Sequence, residues 1–190
     1  MIEAPENVLG VLIGIGLSAA CGMRAFIPML GTNLAAMFDY VELTEQLAWL
    51  ASPTATVVLG AAAVVEVAAY YIPWVDNLLD SLATPLAMAA GTLLTGALLH
   101  DLPPALHWGL AAIAGGSTSG LVQGSTVLLR GASTASTGGL ANPLVATGEW
   151  AGATVTTVLA ILVPVAVIIG LVAFGVVLLR RRGKRRAARP

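Results

Sequence analysis

Five stretches of this chain, residues 8–30, 54–72, 85–99, 104–129 and 151–179, hold only two charged side chains between them, Arg24 and Glu66. Soluble domains carry roughly 25% charged residues; here the share is 10%, against 57% hydrophobic. A soluble core built from 190 residues cannot hide that much apolar surface, so lipid is the solvent the chain fits. The expected fold is all-α and integral to a membrane, with about five transmembrane helices forming one domain over residues 1–179. Thr84 suits the N-cap of the third helix. The fifth is long enough to cross with tilt, and Pro164 should kink it. The opening MIEAPEN has Glu3 and Glu6 but no basic n-region, so the first stretch reads as a retained span.

Seven of the nine basic residues fall in the tail RRRGKRRAARP, residues 180–190. Beside an apolar span this reads as a positive-inside anchor, which puts the C-terminus in the cytoplasm. The same tail attracts anionic lipid. Nucleic acid is not expected as a partner, because no aromatic or polar reading surface accompanies the charge. Trp49, Trp74, Trp108 and Trp150 lie near the expected span ends, where indoles favour the headgroup level. Two amphipathic stretches, 34–50 and 74–83, can lie flat on the bilayer. If one crosses instead, the count becomes six. The single cysteine, Cys21, permits no intrachain disulfide and reads as a small packed hydrophobe.

Gly10, Gly14, Ser18 and Gly22 recur every four residues, as do Ala112, Gly116, Gly120 and Gly124. Such stripes let helix backbones approach closely, and packing is the favoured reading over a pore lining. A shift of 106 positions superposes Gly10 on Gly116, Gly14 on Gly120 and Arg24 on Arg130. With three spans before the fourth, the two copies would run in opposite directions, the plan of an inverted repeat. After Arg130 comes GASTASTGGLANPLVATGE, 131–149, uncharged until Glu149. It is expected either to re-enter the bilayer as irregular backbone covered by protein or to cap the bundle as an external loop.

Arg24 falls roughly 7 Å past the middle of the first stretch, within hydrocarbon. Either it snorkels to the headgroups or it is paired. Glu66 sits near the middle of the second stretch and is its natural partner. On straight antiparallel helices the two differ by about 12 Å in depth. A broken helix, an intervening ligand or a separate role for Glu66 would resolve the mismatch. Glu66 is the candidate for proton coupling, with a neutral, hydrogen-bonded carboxyl as the plainer reading. Arg130 and Glu149 can pair at the same interface. His100, Asp101 and His107 lack metal-ligand spacing, so no metal or other cofactor is expected. No metalloprotease, nucleophile-elbow, phosphate-loop or dinucleotide motif occurs, and nothing points to an enzyme.

GLSAACGMRAFIPML, YYIPWVDNLLD and LLRGASTASTGGLANPLVA resemble a family of small bacterial membrane proteins catalogued only as a domain of unknown function. The resemblance implies a bacterial inner-membrane location and carries no activity. Function is therefore read from the residues. The leading expectation is a small homo-oligomeric transporter or channel for an anionic solute or lipid headgroup. Arg24, Arg130, Gly138, Gly139 and Asn142 would bind it, and Glu66 would couple protons. The alternative is a non-transporting scaffold that binds partner helices through its small-residue faces.

Overall fold

The computed structural model describes residues 5–69 and 73–164, with 169, 170, 172, 173 and 176. Side-chain environments are described from Asn7 onward, excepting residues 73–81. The basic tail, most of the expected fifth span beyond Pro164, and the side chains of Trp74, Asp76 and Asp80 lie outside the described residues. Within them the chain is all helical. The elements are α1 (Pro5–Cys21), α2 (Phe26–Met37), a 3-10 helix (Glu45–Ala51), α3 (Pro53–Ala69) and α4 (Pro73–Gly96). They continue with α5 (Pro104–Leu110), a π-helical turn (Ala111–Gly116), α6 (Ser117–Thr137) and α7 (Asn142–Leu162).

The first apolar stretch is two helices and not one. Pro28 is the cause: it has no N–H, and its ring clashes with the carbonyl four residues back, that of Arg24. A proline is tolerated best in the first turn of a helix, where Pro28 lies in α2. The chain therefore closes α1 with hydrogen bonds from Gly22 N to Ser18 O and from Met23 N to Ala20 O, both 3.0 Å. It restarts at Phe26. Gly22 allows the break to lie against α6, since a Cβ there would stand 2.6 Å from the Ser119 carbonyl.

Three other expectations are revised. Thr84 caps nothing, because α4 is continuous from Pro73 and carries Pro85 inside it. The expected amphipathic stretch 74–83 is the first part of that helix. Residues 131–149 are helical apart from a tight turn. Their hydroxyls bond back to their own helix, as in Ser136 Oγ to Ala132 O and Thr137 Oγ1 to Ser133 O, both 2.8 Å. Gly138 ends α6 with φ of 64°, a left-handed cap that glycine adopts readily. Pro143 then opens α7. The 106-residue register does not extend to the helices, because Arg24 lies in a break and Arg130 inside continuous α6. Proline again governs the end of α7, which stops at Leu162 ahead of Pro164. Because α7 begins at Asn142, Trp150 lies within it and not before it.

Among the described residues one helix, Asn142–Leu162, can cross a membrane by length and composition, or two if the 3-10 helix and α3, bent by 68°, count as one span. α1, α2 and α3, of 17, 12 and 17 residues, fall short of the roughly 20 that a span needs.

α4 is the centre of the packing. Gly10 meets the Leu98 carbonyl, Gly14 lies on Thr95, and Ser18 Oγ donates to the Gly91 carbonyl at 2.9 Å. On its other side Gly115 faces Gly91, Gly116 faces Thr92, and Gly120 meets Met88. Gly124, the last of its stripe, has open space before it. Large apolar side chains point outward, including Val57 at 72% and Leu121 at 75% exposed. Ser18, Thr32, Asn33, Thr95 and Ser119 are buried.

A contrast tests this packing. Gly10→Ala drives a Cβ into a carbonyl and should destabilise the protein by about 1–3 kcal/mol. Gly124→Ala meets nothing and should be neutral or stabilising by up to about 1 kcal/mol. Thermal unfolding of the two variants in detergent reads the difference directly.

Candidate functional site

The break at 22–25 leaves the first N–H groups of α2 without helical partners, as every helix start does. Glu66, from the last turn of α3, satisfies two of them. Its Oε1 accepts from Ala25 N at 2.9 Å and its Oε2 from Phe26 N at 3.1 Å. A carboxylate at a helix N-terminus also meets the positive end of the helix dipole. The register of α3 that makes this contact is set at its start. Ser52 Oγ accepts from Ala55 N at 3.1 Å, and Asn33 Nδ2 donates to the carbonyls of Leu50 and Ser52.

Arg24, held beside this cap, turns its guanidinium toward α7. Its Nη2 lies 3.1 Å from Glu149 Oε2 and donates to the Ala146 carbonyl at 3.2 Å. Arg130, from α6, reaches the same carboxylate with two donors. Nε bonds to Glu149 Oε1 at 3.0 Å, and Nη2 bonds to Oε2. This is the bidentate fork that arginine forms with a carboxylate. Arg24, Arg130 and Glu149 are 2%, 5% and 5% exposed. Three separate elements thus meet on one anion, and Arg24 and Glu149 lie close enough to act on the charge of Glu66.

Beside the cluster is a cavity of about 290 Å³. It lies in the gap between α3 and α4, because α3 packs on α2 and the 3-10 helix instead. Its polar groups are Cys21, Glu66 and Gln123; Phe26, Ala83 and Leu86 are among its apolar ones. Gln123 is 5% exposed, and its carboxamide has no hydrogen bond to any other described residue. A second, more open groove of about 800 Å³ runs between α2, α3 and α7 past Trp150. It is apolar but for Thr154 and Thr157, whose hydroxyls bond back within α7.

The structure gathers Arg24, Arg130 and Glu66 into one region and leaves Gly138, Gly139 and Asn142 elsewhere. These three form the α6–α7 turn, where Asn142 N donates to the Gly139 carbonyl at 3.0 Å and Asn142 Nδ2 to Thr134 Oγ1 at 3.2 Å. That turn is roughly 10–12 Å along α6 and α7 from Arg130 and Glu149 at 1.5 Å per residue. Arg24 neither snorkels nor waits for Glu66; it is buried on Glu149. Among the described residues no three His, Cys, Asp or Glu side chains form a metal-sized group. His107 is buried with its ring edge-on to Trp108. Sequence reasoning missed the shared role of Glu149 and the place of Gln123. The first had a signal: once α7 begins at Asn142, Glu149 joins Ala146, Ala153, Thr157 and Ala160 on one buried small-residue face.

Residues 11–182 match a protein family described as a domain of unknown function, DUF4126. The chain belongs to that family. No curated protein and no solved structure matches it. The family match spans the whole arginine and glutamate cluster of this DUF4126 protein, from Arg24 to Glu149.

Removing one partner from a buried ion cluster strands the others. Glu149→Gln is expected to cost about 3–5 kcal/mol of stability. The triple replacement Arg24→Met, Arg130→Met and Glu149→Leu should recover part of that, since the three paired charges go together and Glu66 keeps its bonds to Ala25 N and Phe26 N. Reversible unfolding in detergent distinguishes the two variants.

Proposed function

We propose that this DUF4126 protein is a multi-pass protein of the bacterial inner membrane, with a cytoplasmic C-terminus and a homo-oligomeric state. We further propose that it moves a small anionic solute together with a proton. Its inverted polarity supports the membrane reading. Valines and leucines cover the outside, while arginine, asparagine, glutamine and glutamate are enclosed. Buried ionisable groups and non-helical backbone enclosed by protein mark solute paths in membrane proteins.

The observation that carries the transport reading is the broken helix at Arg24, set between a four-charge cluster and a cavity. Discontinuous helices of this kind build solute sites in secondary transporters. Glu66, which lines the cavity, supplies the coupling: an added anion is penalised less in a low-dielectric interior when a proton arrives with it. The lipid-headgroup variant fits less well, because Glu149 already occupies both arginines. The scaffold alternative also loses support. Gly10, Gly14, Ser18, Gly22, Gly115 and Gly116 face neighbours in their own chain and present no free face to a partner.

Flux in liposomes holding purified protein tests the proposal. A pH gradient, acidic outside, should drive anion uptake by the wild type. Arg24→Ala, checked for a cooperative melt, should reduce it by roughly tenfold or more. Equal flux in the two proteins would remove Arg24 from the path, and no flux of any anion in either would overturn transport.

A further inference from the structure

Exposed charge and exposed aromatic rings gather at one end of the molecule. Among the described residues the exposed charged side chains are Asp39, Glu42, Glu45 and Asp101. Phe38 and Tyr40, at 71% and 68% exposed, flank the first of them, and Trp49 and Trp108 are exposed too. Of the exposed aromatic side chains among the described residues, only Trp150 lies elsewhere. Specific contacts bring these groups together. Thr44 N donates to the Ala97 carbonyl at 2.9 Å, which ties the corner between α2 and α3 to the end of α4. The Trp108 ring lies against Gly96, and His100 N donates to Asn7 Oδ1 at 2.9 Å, which adds α5 and the start of α1. The corner is firmly seated, because Val41, Leu47 and Leu50 are buried beneath it. Away from this end α3 turns Val57, Val58, Val64 and Val65 outward, and no charge is exposed beside them.

The helices measure how far the ion cluster lies from that end. α1 leaves it and α2 returns to it, so the two form a hairpin whose tip is the break at Arg24. From Met37 back to Phe26 is about 17 Å, and from Pro53 to Glu66 about 20 Å, at 1.5 Å per residue. α7 runs from the α6–α7 turn past Arg24 to Gly31, where Thr157 meets it, so the turn lies on the far side of the cluster. That second leg is roughly 10–12 Å along the helices. Together the legs come to about 30 Å, the thickness of bilayer hydrocarbon. Indole and phenol rings favour the headgroup level, and exposed charges stay in the water beyond it. We infer that the α2–α3 corner and α5 form a belt seated in the headgroup layer of one leaflet, anchored by Phe38, Tyr40, Trp49 and Trp108, and that the α1–α2 hairpin dips from this side to set Arg24 past the midplane. The exposed charges of the belt are all acidic, so the layer that fits is zwitterionic, its amines facing the carboxylates; anionic lipid is repelled. The inference rests on the proposed membrane reading, to which it adds a depth, an entry side for the hairpin and a lipid class.

Tryptophan fluorescence of the full chain in phosphatidylcholine vesicles, with lipid brominated either near the headgroup or near the chain ends, reads these depths. Three proteins each keep one tryptophan, Trp49, Trp108 or Trp150, with phenylalanine at the other three tryptophan positions. Trp150 follows Glu149 directly and so marks the level of the cluster. Shallow bromine should quench Trp49 and Trp108 about twofold or more better than deep bromine does, and the order should reverse for Trp150. Trp150 quenched as shallowly as Trp49 would overturn the depth, and Trp49 or Trp108 quenched best by deep bromine would overturn the belt. At equal depth, brominated anionic lipid should quench Trp49 less than brominated phosphatidylcholine; stronger quenching by the anionic lipid would overturn the headgroup assignment. Phe38→Ser combined with Tyr40→Ser changes exposed side chains only, so the melt should hold while Trp49 emission moves to longer wavelength. An emission that stays in place removes those two rings as anchors. The membrane reading fails separately: if no brominated lipid quenches any of the three tryptophans, that reading is lost. Quenching of Trp150 with Trp49 and Trp108 untouched keeps the membrane and sinks the belt, since a second copy or another protein then covers those rings.

Discussion

Residue 28 is proline, so the carbonyl of Arg24 has no helical N–H to accept, and the chain leaves the helix just before it. Everything notable in the interior depends on that single interruption. It opens four N–H groups at the start of α2, and burial demands that they be satisfied. Glu66 answers that demand for Ala25 and Phe26. The acid is thereby explained twice over, as a helix cap and as a countercharge near Arg24. The break also frees Arg24 from a helical side-chain direction, so its guanidinium reaches α7 instead of running along its own helix.

The ion cluster follows from the same constraint. Burying one charge costs several kcal/mol after relaxation, and burying four is tolerable only if each has partners. Arg130 engages Glu149 with two donors, and Arg24 completes that carboxylate while also donating to the Ala146 carbonyl. The geometry joins the break, α6 and α7 at one point. Such a cluster is weak as a source of stability and strong as a device that fixes register, because no other alignment of the three elements pairs the charges.

How much of this the sequence reveals depends on the kind of signal. Helical class, the small-residue contacts and the pairing of Arg130 with Glu149 are readable, because periodicity and opposite charge act locally. The division of the first stretch is present in the letters too, as Pro28 set four residues after Arg24, yet hydrophobic runs overwhelm a single proline in any reading by composition. The serine and threonine richness of 131–137 misleads in the opposite direction. Those side chains favour loops in water, but bonded back to their own carbonyls they continue a helix. Gln123 could not have been singled out at all. Its importance comes from what surrounds it in space, a cavity wall contributed by α1, α3 and α4, and no spacing in the sequence encodes that.

The close approach along α4 has a mechanical meaning. Gly14 and Ser18 lie against Thr95 and the Gly91 carbonyl on one side, Gly115 and Gly116 against the Gly91 carbonyl and Thr92 on the other, with no bulky side chain between. Sliding by one residue would set a side chain against a carbonyl at several points together, so α1, α4 and the π turn form a rigid chassis. α3 has no such grip. It packs on α2 and the 3-10 helix, and Glu66 ties its last turn to the Gly22–Ala25 break. That one carboxylate is the pin between α3 and the frame.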